Sequence, residues 1–283
     1  MWNSIILSGF ADEIDPMLEK QAEVLRSLEM SFAEVRGVDG RNLTSYSIPE
    51  VKEIAKRFAD RGIRISQIGS PIGKIGIGDD FKAHFALFQH TVEIAHILDT
   101  DKIRIFSFYM PKGEDADSFR EKVLERLGRM ADYAAANGAV LLHENEKGIY
   151  GDTAPRCLTI LKELAGPHFG AVFDFANFVQ VGQDTEEAYE LLRPYVRYIH
   201  IKDARAADGG VVPPGEGDGK LPALLRRFCD SGYEGFLSLE PHLADFSGFS
   251  ALERGEGVLK HKLTGAEAFR LSHDSLGKIL ETI

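Results

Sequence analysis

The chain has 283 residues, of which 44% are hydrophobic and 27% are charged, and its formal net charge is −11. This composition predicts a globular protein with a substantial core. The acidic balance, with no run of lysine and arginine interleaved with aromatic residues, argues against a nucleic-acid-binding protein. No apolar run approaches the roughly 20 residues that a membrane-spanning helix needs, so we expect no membrane partner.

The N-terminal segment and the two cysteines indicate the cellular compartment in which the protein functions. Residues 1–15 contain no basic region followed by a long apolar segment, so we expect no secretory signal peptide. Cys157 and Cys229 lie in helix-like segments and do not form a CxxC metal motif. We therefore expect both to be buried thiols of a protein in the reducing environment of the cytoplasm.

Short apolar segments alternate with amphipathic segments along almost the whole chain. Most of the short segments are near-continuous apolar runs, which are typical of parallel strands that are buried on both faces. We predict eight strands, at about residues 5–10, 31–36, 64–69, 102–108, 139–145, 169–175, 196–203 and 235–240.

The segments between these strands have helical periodicity. Residues 16–30, 80–98 and 117–136 repeat apolar side chains at helical spacing, and Asp184 precedes another helix as a cap. Right-handed crossovers between parallel strands place such helices outside the sheet. The alternation predicts a single-domain α/β protein over residues 1–283, a (β/α)8 TIM barrel with eight strands and eight helices.

An open doubly wound sheet is the alternative fold. No GxGxxG motif follows the first strand, and the glycine-rich stretch at 68–80 lacks the GK[ST] ending of a P-loop. A nucleotide-binding fold therefore has no support. Residues 241–263 form the longest connection without periodicity. In a barrel this long loop follows strand eight, where it could cover the mouth or reach a second copy in a homo-oligomer.

Polar residues end almost every predicted strand, and active sites of TIM barrels lie at those ends. Strands five to eight end in Glu144, Asp174, His200 and Glu240. Three carboxylates cannot sit close together unpaired, and a divalent cation relieves their repulsion. With one imidazole they suit Mn²⁺, Mg²⁺, Co²⁺ or Zn²⁺. The alternative is a network of salt bridges with Lys202, Arg205 and Arg36.

Motifs in the second half of the chain occur in the order found in a known family. They are Glu144-Asn145, Phe173-Asp174, HIKDAR at 200–205, Pro-Gly-x-Gly at 214–217, Gly-Tyr-x-Gly at 232–235, and Glu240. With these motifs the chain resembles the sugar phosphate isomerase/epimerase group of the xylose isomerase-like TIM barrels. The resemblance covers essentially the whole chain and is most specific from about residue 139 to 242.

The resemblance implies one divalent metal ion, held by Glu144, Asp174, His200 and Glu240. It also implies that Glu144 and Glu240 are the catalytic acid/base pair of an isomerase or epimerase of carbohydrate metabolism. Such an enzyme moves a proton next to a carbonyl through an enediolate. Many relatives have a histidine where this chain has Asn177, which cannot be a strong metal ligand. This departure argues against the multi-zinc DNA-repair endonucleases of similar fold.

We expect a small-molecule sugar or polyol-derived substrate. The residues expected to contact it are Glu146, Asn177, Arg205, His242 and Glu34. Strand alternation turns His143 away from the mouth, which predicts a structural role for it. Glu216 and Asp218 make the 208–220 loop a poor cradle for phosphate, so we favour an unphosphorylated substrate.

Three alternative functions remain open at this point. The first is a metal-dependent dehydratase of a keto-inositol or related polyol, which would begin with the same proton abstraction. The second is an endonuclease-like phosphodiesterase, which the acidic charge disfavours. The third is a sugar-binding barrel without catalysis, which the presence of both glutamates, Glu144 and Glu240, disfavours.

Overall fold

The computed structural model describes residues 5–244 and 263–283. Eight parallel strands form one sheet, as predicted. The strands are β1 (Ile5–Gly9), β2 (Phe32–Val35), β3 (Arg64–Ile68), β4 (Lys102–Ile105), β5 (Val140–Glu144), β6 (Phe169–Asp174), β7 (Val196–Ile201) and β8 (Gly235–Leu239). β1 pairs with β8 at one end of the strand order, and β2 lies at the other end. A parallel bridge between Phe10 and Glu34 joins β1 to β2 and completes the barrel.

Helices follow the strands and surround the barrel. The described residues contain α1 (Leu18–Ser27), α2 (Ile48–Ala59), α3 (Phe81–Ile97), α4 (Arg120–Ala136), α5 (Ala154–Leu164), α6 (Phe175–Gln180), α7 (Thr185–Leu192), α8 (Leu221–Asp230) and α9 (Gly265–Glu281). The short α6 was not predicted. It begins directly after β6 because the Asp174 carboxylate accepts a hydrogen bond from the Asn177 N–H. Asp184 caps α7 as predicted, through the N–H groups of Glu186 and Glu187.

Successive side chains of each strand point alternately into the barrel and toward the helices. One set of alternating residues, including Leu141, Phe173 and Ile199, belongs to the large hydrophobic core that contains the helix side chains. The other set packs inside the barrel, where Leu142, Val172 and Tyr198 form a separate apolar cluster. Two residues further along β5, β6 and β7, the inward positions are occupied by ionisable side chains. The barrel interior therefore changes from apolar to charged toward the carboxyl ends of the strands.

The glycine-rich stretch after β3 extends the barrel wall. β4 ends at Ile105, three residues before the predicted end, because the backbone beyond it pairs with this stretch. Phe106 N–H donates to the Ile72 carbonyl at 2.8 Å, and Phe108 N–H donates to the Gly73 carbonyl at 3.0 Å. The loop between β3 and α3 is thereby held at the mouth of the barrel.

A single carboxylate organises the loop between β7 and α8. Asp203 accepts four backbone hydrogen bonds, from the N–H groups of Ala204, Gly215, Gly217 and Gly219. The last two glycines have no room for a side chain, since an added Cβ would lie 2.4 and 2.6 Å from Asp203 Oδ1. The Pro-Gly-x-Gly segment is therefore folded around Asp203.

Several further expectations can be compared with the described residues. Cys157 is buried and Cys229 is partly buried, and both are free thiols. The predicted loop at 241–263 falls mostly on residues 245–262, which lie outside the described residues. None of the helices in residues 5–244 and 263–283 combines the length and apolar character needed to cross a lipid bilayer.

Candidate metal centre and active site

Four buried side chains from consecutive strand ends converge at the barrel mouth: Glu144, Asp174, His200 and Glu240. Each offers one atom to a set in which all atoms lie within 4.8 Å of one another. His200 Nδ1 lies 2.7 Å from Glu144 Oε1, 3.9 Å from Asp174 Oδ2 and 3.6 Å from Glu240 Oε2. The four residues predicted as metal ligands are therefore brought together.

Strand register explains this convergence. Asp174 on β6 lies directly opposite His200 on β7, and His200 lies opposite Ser238 on β8. Neighbouring inward residues on parallel strands share a level in the barrel. Glu240 follows β8 and is tied to β7 by a hydrogen bond from its N–H to the Ile201 carbonyl, at 3.2 Å.

Glu34 lies beneath this cluster and not in the cavity, where a substrate contact was expected. Its carboxylate is fully buried. It lies 3.2 Å from His200 Nε2 and accepts hydrogen bonds from Ser238 Oγ at 2.7 Å and Gln67 Nε2 at 2.8 Å. Glu34 therefore sets the orientation of the His200 ring from below, as carboxylates commonly do for metal-binding histidines.

The residues present fit a divalent cation. With its Nε2–H donated to Glu34, a His200 imidazole that has given up its Nδ1 proton for a cation can direct the Nδ1 lone pair into the space between the three carboxylates. The buried Asp174 Oδ2 accepts no well-directed hydrogen bond within the described residues, although Lys202 Nζ lies 3.0 Å away, so it keeps lone pairs for a cation. Three carboxylate oxygens and one imidazole nitrogen are ligands that divalent metals accept. The structure thus contains a possible acidic and histidine metal site.

Cationic side chains also contact the cluster. Lys202 Nζ lies 3.0 Å from Asp174 Oδ2 and 2.9 Å from Glu240 Oε2. Arg104 contacts Glu144 at 3.1 Å, and Arg36 reaches Glu240 at 3.5 Å. The salt-bridge network weighed as an alternative therefore exists alongside the ligand geometry, through Lys202 and Arg36.

These charges shift the pKa values of the cluster. Burial raises the pKa of Glu144, but the positive charges of His200 and Arg104 outweigh it and hold the pKa at about 2. Burial raises the pKa of Asp174 to about 7, against the charge of Lys202. Burial lowers the pKa of His200, but Glu144 and Glu34 raise it well above its usual value.

A narrow cavity opens above the cluster. The described residues that line it are Lys74, Arg104, Glu144, Glu146, Asn177, Lys202, Glu240 and His242. Three of the expected substrate contacts, Glu146, Asn177 and His242, are thus at the cavity. Arg205 is not: its side chain is 46% exposed and binds Asp208 at 2.9 Å, in a surface turn. Arg205 does not pair with the nearby Asp203, whose carboxylate instead accepts hydrogen bonds from backbone N–H groups of its own loop.

His242 has an unusual backbone conformation. Its φ of 48° lies in the left-handed region, which non-glycine residues rarely adopt. Its N–H donates to Glu13 Oε2 at 2.8 Å, and its Nε2 lies 3.3 Å from Glu13 Oε1 and 3.4 Å from Glu240 Oε1. Burial lowers its pKa, but Glu13 outweighs this and raises the pKa to about 9. Glu13 therefore holds the ring beside Glu240.

Asn177 and Asn145 brace the ends of β5 and β6. The Asn145 side chain donates to the Asp174 carbonyl and accepts from the Asp174 N–H, both at 3.0 Å. Asn177 Nδ2 donates to the Asn145 carbonyl at 2.9 Å.

His143 points to the helix side, where its ring leaves no room for a Cβ on Gly151. Burial lowers the pKa of His143 to about 4, so it is neutral at pH 7.

Two cavity residues were missed by the sequence reasoning. Arg104 could have been found, because alternation along β4 turns it inward between the outward Ile103 and Ile105. Lys74 gave no signal, because its position depends on the long-range pairing of its loop with the segment after β4.

The chain is similar to several known proteins. The 3-dehydroshikimate dehydratase of Bacillus anthracis is 22% identical over 175 residues, which are 62% of this chain and 62% of that protein. Fructoselysine 3-epimerase of Escherichia coli O157:H7 is 28% identical over 123 residues, which are 42% of this chain and 44% of that protein. Both are matched over less than two thirds of their own length.

A solved structure shows the same fold over nearly the whole chain. The IOLI protein with a bound zinc atom superposes with a TM-score of 0.76 at 18% identity, covering 98% of each chain. The family described as xylose isomerase-like TIM barrel matches residues 22–261. Since this match covers well over half of the sequence, the chain belongs to the xylose isomerase-like TIM barrel family.

Proposed function

We propose that this protein is a metal-dependent isomerase or epimerase that moves a proton next to the carbonyl of a small polyhydroxylated substrate. The observation that carries the proposal is the convergence of Glu144, Asp174, His200 and Glu240 within 4.8 Å beneath a cavity. Fructoselysine 3-epimerase, a relative over part of the chain, supports the epimerase class.

The four residues would hold one divalent metal, with Mn²⁺, Mg²⁺, Co²⁺ and Zn²⁺ as the candidates. When bound, the metal supplies a Lewis acid that stabilises negative charge developing on the substrate oxygens. The IOLI protein, which carries a zinc atom, has the same fold and supports such a site here.

Glu144 and Glu240 are the proposed proton carriers. They come from β5 and from the end of β8, so they approach the cavity from different sides. One removes the carbon-bound proton, and the other returns a proton to the opposite face or to the neighbouring carbon. Arg104 contacts the Glu144 carboxylate and Lys202 contacts the Glu240 carboxylate, so the orientation of each carboxylate is fixed.

A dehydratase is the second candidate, and His242 is the observation that favours it. This residue lines the cavity with Nε2 3.4 Å from Glu240 Oε1, where it can give a proton to a departing hydroxyl group. The 3-dehydroshikimate dehydratase matched over 62% of its length is named for such a loss of water. Both candidates begin with the same removal of a proton next to a carbonyl.

The test is exchange of solvent deuterium into carbon-bound positions of ketoses, aldoses and inososes, with metal content measured on the same preparation. Glu144→Gln and Glu240→Gln should each lower the rate by about 10²- to 10⁴-fold. Glu216→Gln, an exposed glutamate of the β7–α8 loop, is the matched control and should keep full activity. Full activity in both glutamine variants at the site refutes the mechanism. Formation of a conjugated product with loss of water selects the dehydratase.

A further inference from the structure

Lys74 is placed at the cavity by a rigid loop. The preceding residue, Gly73, has a φ of 90°, and a Cβ added there would lie 2.0 Å from the Phe106 carbonyl oxygen. The Gly73 N–H donates to His84 Nε2 at 2.7 Å, and its carbonyl accepts from the Phe108 N–H at 3.0 Å. A glycine fixed on both sides in a conformation that other residues avoid aims the next side chain with little freedom.

The Lys74 ammonium group is buried with unused donors. Its side chain is 9% exposed, and Nζ lies 3.1 Å from Glu146 Oε2 and 4.4 Å from the centre of the Phe106 ring. The bond to Glu146 is the one hydrogen bond that the Lys74 ammonium group makes within residues 5–244 and 263–283. An ammonium group has three donors, so two remain for oxygen atoms in the cavity. Burying a charge in this way is costly unless a partner uses it.

The chemistry of the pair restricts the ligand. Glu146 also lines the cavity, and it places an acceptor next to the donors of Lys74. A hydroxyl group can accept from one and donate to the other, whereas a carboxylate or phosphate would meet the negative charge of Glu146. The other cations of the cavity are Arg104, Lys202 and His242, and each contacts a carboxylate outside this pair.

We propose that Lys74 and Glu146 form a subsite that binds a hydroxyl group of the substrate and selects uncharged polyhydroxylated carbonyl compounds over carboxylated or phosphorylated ones. This inference rests on the proposed function, since it names the substrate class of the same cavity. It assigns to Lys74 the role of a specificity-determining residue.

The experiment compares wild-type protein with Lys74→Met, Glu146→Gln and the double variant. The substrates are uncharged ketoses and inososes, their phosphate esters, and 3-dehydroshikimate as a carboxylated ketone. Deuterium exchange gives kcat and KM, and ligand-induced shifts of the unfolding temperature give binding without catalysis. Lys82→Met, an exposed lysine of α3, is the control. Unfolding temperature and metal content of each variant report whether the fold is intact.

We expect the wild type to prefer uncharged substrates. Lys74→Met should raise their KM about 10- to 100-fold with a smaller change in kcat, because a charged hydrogen bond to the substrate is lost. The double variant should stay impaired, since a lysine that only neutralised Glu146 would be dispensable once Glu146 is neutral. Recovery of wild-type KM in the double variant overturns the subsite.

The two proposals fail in different ways. Preference for carboxylated or phosphorylated ketones, with active deuterium exchange, overturns the subsite and leaves the proposed function intact. Binding of uncharged polyols that depends on Lys74, with no exchange on any carbonyl compound, supports the subsite and overturns the proposed function.

Discussion

Replacing Asp203 with asparagine should strongly destabilise the protein, although the two side chains have nearly the same shape. Oδ1 accepts from the N–H groups of Ala204 and Gly219 at 2.9 and 3.0 Å, and Oδ2 accepts from those of Gly215 and Gly217 at 3.0 Å each. If an amide NH₂ group replaces either oxygen, two hydrogen bonds are lost. The NH₂ group, itself a donor, then faces two backbone N–H donors.

The size of the effect follows from these contacts. A hydrogen bond to a charged group contributes about 1.5 kcal/mol or more, so two lost bonds cost about 3 kcal/mol. A typical protein is stable by only about 5–15 kcal/mol, so this is a large share. For a chain of this size the unfolding temperature should fall by roughly 6 °C.

Urea unfolding followed by circular dichroism measures the free energy of unfolding of Asp203→Asn and wild type. Asp208→Asn is the matched control, because Asp208 lies in the same loop but is exposed and pairs with Arg205. The control should lose no more than about 1 kcal/mol. Equal stability of the two variants would show that the four backbone contacts do not hold the loop.

Two further predictions concern groups away from the cavity. Glu34→Gln should weaken binding of a divalent metal by about 10- to 100-fold, because Glu34 orients the His200 ring from beneath. Titration of the protein against a chelating dye measures the metal affinity. An unchanged affinity would contradict this role of Glu34. His84 is neutral in the fold, because burial lowers its pKa from 6.5 to about 4 and its Nε2 accepts from the Gly73 N–H. The unfolded chain therefore binds the proton first, so this stabilisation is complete above pH 6.5 and is lost as the pH falls toward 4. Because buried His143 protonates over the same range, the test is a difference: between pH 7 and 4 the wild type should lose roughly 3 kcal/mol more stability than His84→Gln, as measured by urea unfolding. An equal loss in both proteins would contradict the assignment to His84.

The barrel and the convergence of its candidate metal ligands could be predicted because both follow from local pattern. Apolar runs marked all eight strands, and the inward alternation of β5, β6 and β7 placed Glu144, Asp174 and His200 on one surface. Parallel register then brings strand ends to the same level without any information on loops. Asp184, a cap that acts on its own helix, was predictable for the same reason.

Features set by distant partners could not be predicted. The apolar run at 102–108 reads as one strand, but its last residues pair with the glycine-rich loop and not with a barrel strand. The helix after β6 depends on the Asp174 carboxylate, which the sequence reasoning assigned to a metal alone. Glu34 was expected at the cavity because it ends a strand. The structure places it one level lower, in contact with Ser238 across the barrel.

The candidate metal ligands and the proposed subsite lie on different kinds of structural element, which has a consequence for how such a protein diversifies. Glu144, Asp174 and His200 belong to strands, whose spacing the sheet fixes, whereas Lys74 and Glu146 belong to loops. If Lys74 selects the substrate as proposed, a change at this position alters what enters the cavity without moving a strand. Duplicated copies of this gene could therefore acquire new substrates through loop substitutions alone, while the buried set of ligands stays the same.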